Sequence, residues 1–308
     1  MMEIFKKSNG KVQKIEEPQK GDFIRLIDPT PEEIKMVIEL TDVDEDFVID
    51  PLDEEERARV EIDEDYILII LKPPIKMPQD SHVPYKTSSV GIIITPEHTV
   101  VVSKKRFSFI DNNILNEKID IKKRSKMIFQ ILHLNANEYL KTLKEIQQKI
   151  DEIEEELNRS LRNKEIVELM KLEKGLVYFV TALRYNELLL ERLMKGNIIP
   201  LYEEDRDILE DAIVDNRQAI DTANIYSDIL AGMMDAYASI ISNNLNIVMK
   251  VLAVVTIIME IPTVISSFYG MNVKLPLQNS PFAWFYVIIW SAISIILVIF
   301  WFKKNKWI

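Results

Sequence analysis

The fold is decided near the end of the chain by two apolar stretches, IVMKVLAVVTIIMEIPTVISSFYG (247–270) and FAWFYVIIWSAISIILVIFWF (282–302). Each is long enough to cross the roughly 30 Å hydrocarbon core of a bilayer as a helix. The first is interrupted by Glu260 and Pro262, whereas the second has no charged residue and carries aromatic side chains at both ends, as membrane interfaces favour. Both stretches are therefore predicted to be transmembrane helices.

The short outer connector between these helices, residues 271–281, predicts a hairpin with both chain ends on one side of the membrane. Lys303, Lys304 and Lys306 follow the second helix, and Lys250 lies at the entrance of the first. Because basic residues stay on the cytoplasmic side, both termini are expected in the cytoplasm. The chain is thus expected to be a multi-pass protein of the cell membrane, meaning the inner or plasma membrane.

The charged residues are concentrated before the membrane segments. The chain has 308 residues and a formal net charge of -11, and residues 251–302 contribute only Glu260 and Lys274. An acidic soluble part argues against nucleic acid as a partner, because phosphate binding needs clustered Lys and Arg. It favours cations. Cysteine is absent, which excludes thiolate metal sites, and the sequence contains no phosphate loop or nucleophile-base pair, so an enzyme is not expected.

The part before the membrane segments predicts an α+β fold. Residues 1–124 are expected to form a cytoplasmic α/β domain, because short β-rich runs are separated by proline and acidic turns. Strands are predicted at 65–72, 89–95 and 98–104, the last two joined by a tight turn. A small sheet with helices packed on it is the simplest arrangement.

Helices are predicted within and after this domain. Thr30, followed by Pro31, is the predicted N-cap of a helix over 30–40. Amphipathic periodicity over 125–200 predicts a long helical hairpin. The following stretch lacks proline, so a cytoplasmic stalk helix over 201–246 can continue into the first membrane segment.

One face of this continuous helix collects polar and small side chains. At steps of three or four residues, its members are Asp235, Ser239, Ser242, Asn246, Met249, Ala253, Thr256, Glu260, Thr263 and Ser267. Such a stripe more often mediates helix packing than lines a pore. Glu260 favours the pore, because an ionisable group at bilayer depth is tolerated mainly beside water, a partner charge or an ion path. Two helices cannot enclose such a path, so a pore requires several copies of the chain.

The sequence Tyr269-Gly270-Met271-Asn272 directly follows a proline-containing membrane helix and shortly precedes a second one. In this position it resembles the signature of the CorA magnesium-transporter family. The order of segments along the whole chain is similar too, including the closing basic and aromatic tail, residues 303–308. The resemblance implies a funnel-shaped homopentamer that takes up Mg²⁺, and Co²⁺ or Ni²⁺, down the electrochemical gradient. It also implies that intracellular Mg²⁺ gates the channel.

The resemblance assigns roles to individual residues. It implies an outer selectivity filter at Gly270, Met271 and Asn272 and an inner constriction at Asn246, Met249 and Leu252, while the stripe adds Thr256, Glu260 and Thr263 as pore-lining residues. The neutral amide of Asn272 suits hydrated Mg²⁺, which sheds water reluctantly. Gly270 permits backbone conformations closed to other residues and is expected to bring carbonyls near the axis. Met249 and Leu252 are apolar and suited to block flow by dewetting.

Two features of the resemblance leave alternatives open. A regulatory Mg²⁺ site between subunits is implied at Asp211, with Asp80 as its suggested partner; the alternative is that Asp211 is a solvated helix residue. Family members commonly have an apolar or small polar residue where Glu260 lies and a proline one position before Pro262. Pore geometry and valence selectivity can therefore differ from those of the family. Glu260 can also turn away from the pore and hydrogen-bond a neighbouring helix.

Two other functions compete with magnesium transport. A zinc transporter similar to ZntB would have the same fold, but such proteins tend to carry a different residue at the position of Met271. A membrane-anchored cytoplasmic scaffold would need neither the polar stripe nor Glu260. Magnesium, both transported and regulatory, is therefore the expected ion, with the bilayer and further copies of the chain as partners.

Overall fold

The computed structural model describes residues 1–8, 11–63, 65–78, 81–159, 163–196, 198–272, 275–276, 280–305 and 307. The chain forms two compact units, Met1–Met233 and Met234–Ile308.

The first unit is built on a seven-stranded mixed sheet with the strand order β2-β1-β3-β9-β8-β5-β4. Its strands are β1 (Met2–Ser8), β2 (Lys11–Ile15), β3 (Phe23–Ile27), β4 (Arg59–Asp63), β5 (Tyr66–Leu71), β8 (Val90–Ile94) and β9 (Thr99–Ser103), and β6 (Pro74–Lys76) pairs with β7 (Tyr85–Thr87) in a separate two-stranded sheet. Only β3 and β9 pair in parallel among the described strands. The predicted strands at 65–72, 89–95 and 98–104 are confirmed as β5, β8 and β9.

Both faces of the central sheet are buried. Phe23 and Val101 face one hydrophobic cluster, and the adjacent residues Ile24 and Val100 face another. Successive side chains of a strand point to opposite faces, so the nearly continuous apolar runs of β3, β8 and β9 fit a sheet covered on both sides. The sheet is therefore the middle of three layers.

Helices form the two outer layers. In chain order they are α1 (Pro31–Thr41), α2 (Glu45–Ile49), α3 (Ser108–Leu115), α4 (Arg124–Arg159), α5 (Asn163–Lys195), α6 (Glu203–Tyr269) and α7 (Ala283–Lys304), with a short 3₁₀ turn at Asp50–Leu52. α1 and α2 cover one face, while α3, α4, α5 and the first turns of α6 cover the other.

The start of α1 agrees with its prediction. The side chain of Thr30 accepts a hydrogen bond from the Glu33 backbone N–H (3.3 Å), and the Glu33 carboxylate accepts one from the Thr30 N–H (3.0 Å). This capping box satisfies two backbone donors that a helix start leaves unpaired. Pro31 occupies the first turn, where its missing N–H costs nothing.

The predicted long helices are also confirmed. α4 and α5 are consecutive long helices that contact each other, and α6 is a continuous helix of 67 residues. α6 runs through Pro262 without ending. α6 and α7 are the two helices long and apolar enough to cross a membrane among the described residues.

Candidate ion pathway

The polar stripe lies on an exposed face of α6 in the second unit. Within the apolar segment its members Thr256, Glu260, Thr263 and Ser267 are all exposed. The least exposed side chains of the same segment lie about half a turn away around the helix; they are Val254, Ile258, Ile261, Pro262 and Ile265. The helix therefore has one covered apolar face and, opposite to it, one uncovered polar face.

α7 has a matching covered face. Ser291 and Phe302 are buried, whereas Trp290, Phe300 and Trp301 are exposed. The Ser291 hydroxyl donates to the backbone carbonyl of Val287 (2.8 Å), so this polar group is satisfied within its own helix. Val254 on α6 and Ser291 on α7 thus give each helix one covered face, and the stripe is not part of the covered face of α6.

The threonine hydroxyls of the stripe donate hydrogen bonds to backbone carbonyls of α6 itself. Thr256 Oγ1 donates to the carbonyl of Leu252 (2.8 Å), and Thr263 Oγ1 donates to that of Met259 (3.1 Å). A hydroxyl that donates to its own helix keeps oxygen lone pairs for an outside donor or cation. The stripe thus presents neutral oxygen acceptors one turn before and one turn after Glu260.

The inner-constriction candidates are also uncovered in the single chain. Met249 and Leu252 are 62% and 56% exposed, and Asn246 is exposed as well. These side chains lie on the same side of α6 as the stripe. Apolar side chains with this exposure on a membrane helix contact lipid, a neighbouring copy or a water-filled path.

The outer end of α6 closes with a short turn. The Gly270 N–H donates to the carbonyls of Ser266 (3.0 Å) and Ser267 (3.2 Å), and the Met271 N–H donates to that of Phe268 (3.1 Å). Met271 and Asn272 are exposed beyond this turn. The Tyr269 hydroxyl donates to the carbonyl of Pro276 (3.2 Å) and ties the described part of the connector to the helix end.

Gly270 does not use the backbone conformations that are closed to other residues. Among the described glycines only Gly21 has a positive φ. A Cβ built on Gly270 would meet the carbonyl oxygens of Ser266 and Ser267 at 3.5 Å, which is ordinary contact. The helical hydrogen bonds continue through Gly270, so the turn needs no left-handed residue. Within one chain, nothing in this turn requires glycine.

The regulatory candidates are not brought together by the described part of the chain. Asp211 is exposed on α6, and Asp80 lies outside the described residues. In the ranges that the structure describes, no group of three or more His, Asp or Glu side chains has the geometry to hold a metal ion.

Sequence reasoning missed the contacts that hold the start of α6 in the first unit. His133 Nε2 lies 3.0 Å from a carboxylate oxygen of Asp215, and Asn216 donates to the Leu183 carbonyl (3.0 Å). At the first turn Lys126 donates to Glu204, a bond that lowers the pKa of this carboxyl. The paired residues are far apart in sequence, 82 positions for His133 and Asp215, so local patterns carry no signal for them.

The comparisons with known proteins decide the family. A family model described as "CorA-like Mg2+ transporter protein" matches residues 18–304. The chain belongs to this CorA family. The cobalt/magnesium transport protein CorA of Methanocaldococcus jannaschii is 30% identical over 296 residues, which are 93% of this chain and 91% of the relative. The protein of the same name from Thermotoga maritima is 28% identical over 271 residues, 84% of this chain and 75% of the relative.

Solved structures agree with this CorA assignment. The complete structure of the CorA magnesium transporter from M. jannaschii matches with a TM-score of 0.86 and 28% identity, over 100% of this chain and 99% of that one. The cytoplasmic domain of ZntB from Vibrio parahaemolyticus matches 79% of this chain and 97% of its own with a TM-score of 0.62 and 17% identity, which shows a shared fold alone. This CorA chain is thus a membrane transporter with two candidate C-terminal spans, and not an enzyme.

Proposed function

We propose that this CorA protein is one subunit of a homopentameric channel that carries Mg²⁺, and also Co²⁺ or Ni²⁺, into the cell down the electrochemical gradient. The observation that carries the proposal is the uncovered polar face of α6, which lies opposite to the face covered in the second unit. Relatives over most of the chain are cobalt/magnesium transport proteins. A polar face on a membrane helix is stable when several copies turn it toward a common aqueous path.

The outer filter of this channel is formed by Gly270, Met271 and Asn272. Mg²⁺ holds its first-shell waters tightly, so a filter for the hydrated ion needs neutral acceptors that bind those waters. The exposed amide of Asn272, repeated around the symmetry axis, provides them. The missing side chain of Gly270 then serves close approach between subunits, since the turn itself does not need it.

The inner end of the pathway is formed by Asn246, Met249 and Leu252, with Thr256, Glu260 and Thr263 lining the path between the two ends. A ring of Met249 and Leu252 side chains excludes water when it narrows and so closes the pore. Intracellular Mg²⁺ favours the closed state by bridging carboxylates of neighbouring subunits, one of them from Asp211 and its partner from Asp80. Hard divalent ions prefer such oxygen ligands.

The pathway is oriented with both chain ends in the cytoplasm. The basic residues Lys250, Lys303, Lys304 and Lys306 flank the two membrane segments at their inner ends, as cytoplasmic flanks do. The segments accordingly comprise a cytoplasmic part up to residue 246, an outer loop over 271–281 and a basic tail.

Ion flux into liposomes tests the proposal. The full-length protein is reconstituted into liposomes that contain a Mg²⁺ indicator, with empty liposomes as the control. Mg²⁺ entry that follows the membrane potential and needs no proton gradient is the expected result. Zn²⁺ movement that depends on a proton gradient, without Mg²⁺ entry, would favour the ZntB-like alternative, and no ion movement at all would favour the scaffold.

A further inference from the structure

Glu260 is the one carboxylate in the membrane segments of the chain. Residues 251–302 hold no other acid, and Lys274, in the outer connector, is their only base. An ionised carboxylate in the bilayer is unfavourable unless water, a cation or a hydrogen-bond donor compensates for it. The source of this compensation determines the role of Glu260.

The chain itself supplies no cationic partner among the described residues. Glu260 is exposed and forms no ion pair there. Lys250 lies ten positions earlier, which is about 15 Å along a helix, and is too distant for an ion pair. A second helix cannot provide the charge either, because α7 has no ionisable residue before Lys303 other than Tyr286.

The backbone group freed by Pro262 is not the partner of Glu260. Proline lacks an N–H, so the carbonyl of Ile258, four residues earlier, loses its helical donor. Ile258 and Pro262 both lie on the covered face of α6, about half a turn away from Glu260 around the helix. A Glu260 side chain that reached this carbonyl would have to cross to the opposite side of its own helix.

We infer that Glu260 carboxylates of neighbouring subunits form a ring that binds a divalent cation inside the pore. The inference rests on the proposed function, which turns the stripe toward the symmetry axis. The threonine oxygens one turn before and one turn after Glu260 are uncovered acceptors for the waters of a bound ion. Carboxylates that converge in a low-dielectric path repel each other, and a bound divalent ion relieves this repulsion.

This ring is a site separate from both ends of the pathway. Gly270 lies ten residues after Glu260 and Met249 eleven residues before it, each about 15 Å or more along the helix. One ion cannot contact two of these levels at once. The ring therefore binds an ion that has already passed the neutral outer filter, and it draws divalent cations in preference to monovalent ones because a carboxylate ring attracts the higher charge more strongly.

Equilibrium binding of Mn²⁺, a paramagnetic divalent ion, tests the inference on the full-length oligomer in detergent. Electron paramagnetic resonance counts the bound Mn²⁺ per oligomer in the wild type and in Glu260→Gln, which keeps the size of the side chain and removes its charge. The count should fall by one ion in Glu260→Gln. Met259→Leu, next to Glu260 but off the stripe, is the matched control and should keep the wild-type count.

Two further measurements separate a lost site from a damaged protein. Glu260→Gln/Thr256→Glu places the carboxylate one turn earlier on the same face and should restore the missing ion. In liposomes, the Mg²⁺ concentration that half-saturates flux should rise at least about tenfold in Glu260→Gln. If Glu260→Gln does not assemble, the pair Glu260→Asp and Glu260→Asn provides the same contrast of charge.

The outcomes distinguish this inference from the proposed function. An unchanged Mn²⁺ count and an unchanged flux curve in Glu260→Gln would overturn the ring. Mg²⁺ flux through the wild-type protein would still support the proposed channel. Absence of Mg²⁺ flux through the wild-type protein would instead overturn the proposed function itself.

Discussion

Asn186 makes a buried contact whose removal we expect to destabilise the first unit clearly. It is 2% exposed on α5, and its amide binds the backbone of Lys72, the residue after β5. The side-chain oxygen accepts from the Lys72 N–H (3.2 Å), and the amide nitrogen donates to the Lys72 carbonyl (3.4 Å). The side chain thus makes the two backbone hydrogen bonds that a neighbouring strand would otherwise make to Lys72.

Asn186→Ala should lower the free energy of unfolding more than Tyr139→Phe, which removes the other hydrogen-bond donor to the Lys72 carbonyl. The Lys72 N–H would remain buried without an acceptor, at a cost of about 2–3 kcal/mol in the free energy of unfolding. The carbonyl would keep its bond from the Tyr139 hydroxyl (2.5 Å). In Tyr139→Phe the carbonyl keeps Asn186 instead, and no donor is left unpaired, so the loss should be about 1 kcal/mol.

Thermal unfolding of the purified full-length protein measures this difference. At about 2–4 °C per kcal/mol for a unit of this size, Asn186→Ala should lower the apparent Tm by roughly 4–12 °C and Tyr139→Phe by about 2–4 °C. Asn137→Ala is the matched control, because Asn137 is exposed on α4 and donates to the carbonyl of His133. Equal shifts for Asn186→Ala and Asn137→Ala would refute the role assigned to the buried amide.

Three further predictions concern acid sensitivity, gating and orientation. Burial lowers the pKa of His98, so the unfolded chain binds a proton that the folded one excludes, and stability should fall as the pH falls below about 6.5. His98→Gln should reduce this loss in thermal unfolding between about pH 7.5 and 5; an unchanged slope would contradict the assignment. Asp211→Ala should require more intracellular Mg²⁺ to inhibit flux, whereas Asp228→Ala should not, and coincident inhibition curves would make Asp211 a plain surface residue. Cysteines introduced at Asn279 and Asn305 should react with membrane-impermeant reagents from opposite sides, and reaction of both from outside would reverse the topology.

Local sequence signals predicted the elements that depend on local chemistry. Thr30 and Pro31 identified the start of α1, and the alternating or continuous apolar runs identified β5, β8 and β9. The long helices followed from periodicity, because one apolar face every three or four residues is enough to specify them.

Pairings between distant segments could not be predicted in this way. β1 and β2 carry many charged residues, and β3 pairs in parallel with β9, from Phe23 with Thr99 to Ile27 with Ser103. No local pattern encodes such a register, which follows from how the two clusters pack. The strands before residue 30 were therefore not assigned from the sequence.

The candidate pathway also combines features that local sequence predicts with features that depend on distant contacts. Its polar face could be found from spacing along α6, but the face that is covered could not, because burial depends on contacts that only the structure shows. Glycine at a helix end often adopts a left-handed conformation, but at Gly270 the last hydrogen bonds of the helix continue without it. The His133–Asp215 contact depends on the docking of α6 against α4 and has no sequence signal.

Ion flux through Asn272→Ala in liposomes tests most directly whether Mg²⁺ passes a filter of neutral amides at Asn272. The variant should assemble and insert as the wild type does but lose selective Mg²⁺ entry, because the acceptors for the waters of the hydrated ion are gone. Asn305→Ala, a change in the basic tail, should leave the flux unaltered. Unchanged Mg²⁺ entry and ion selectivity in Asn272→Ala would contradict a filter at Asn272.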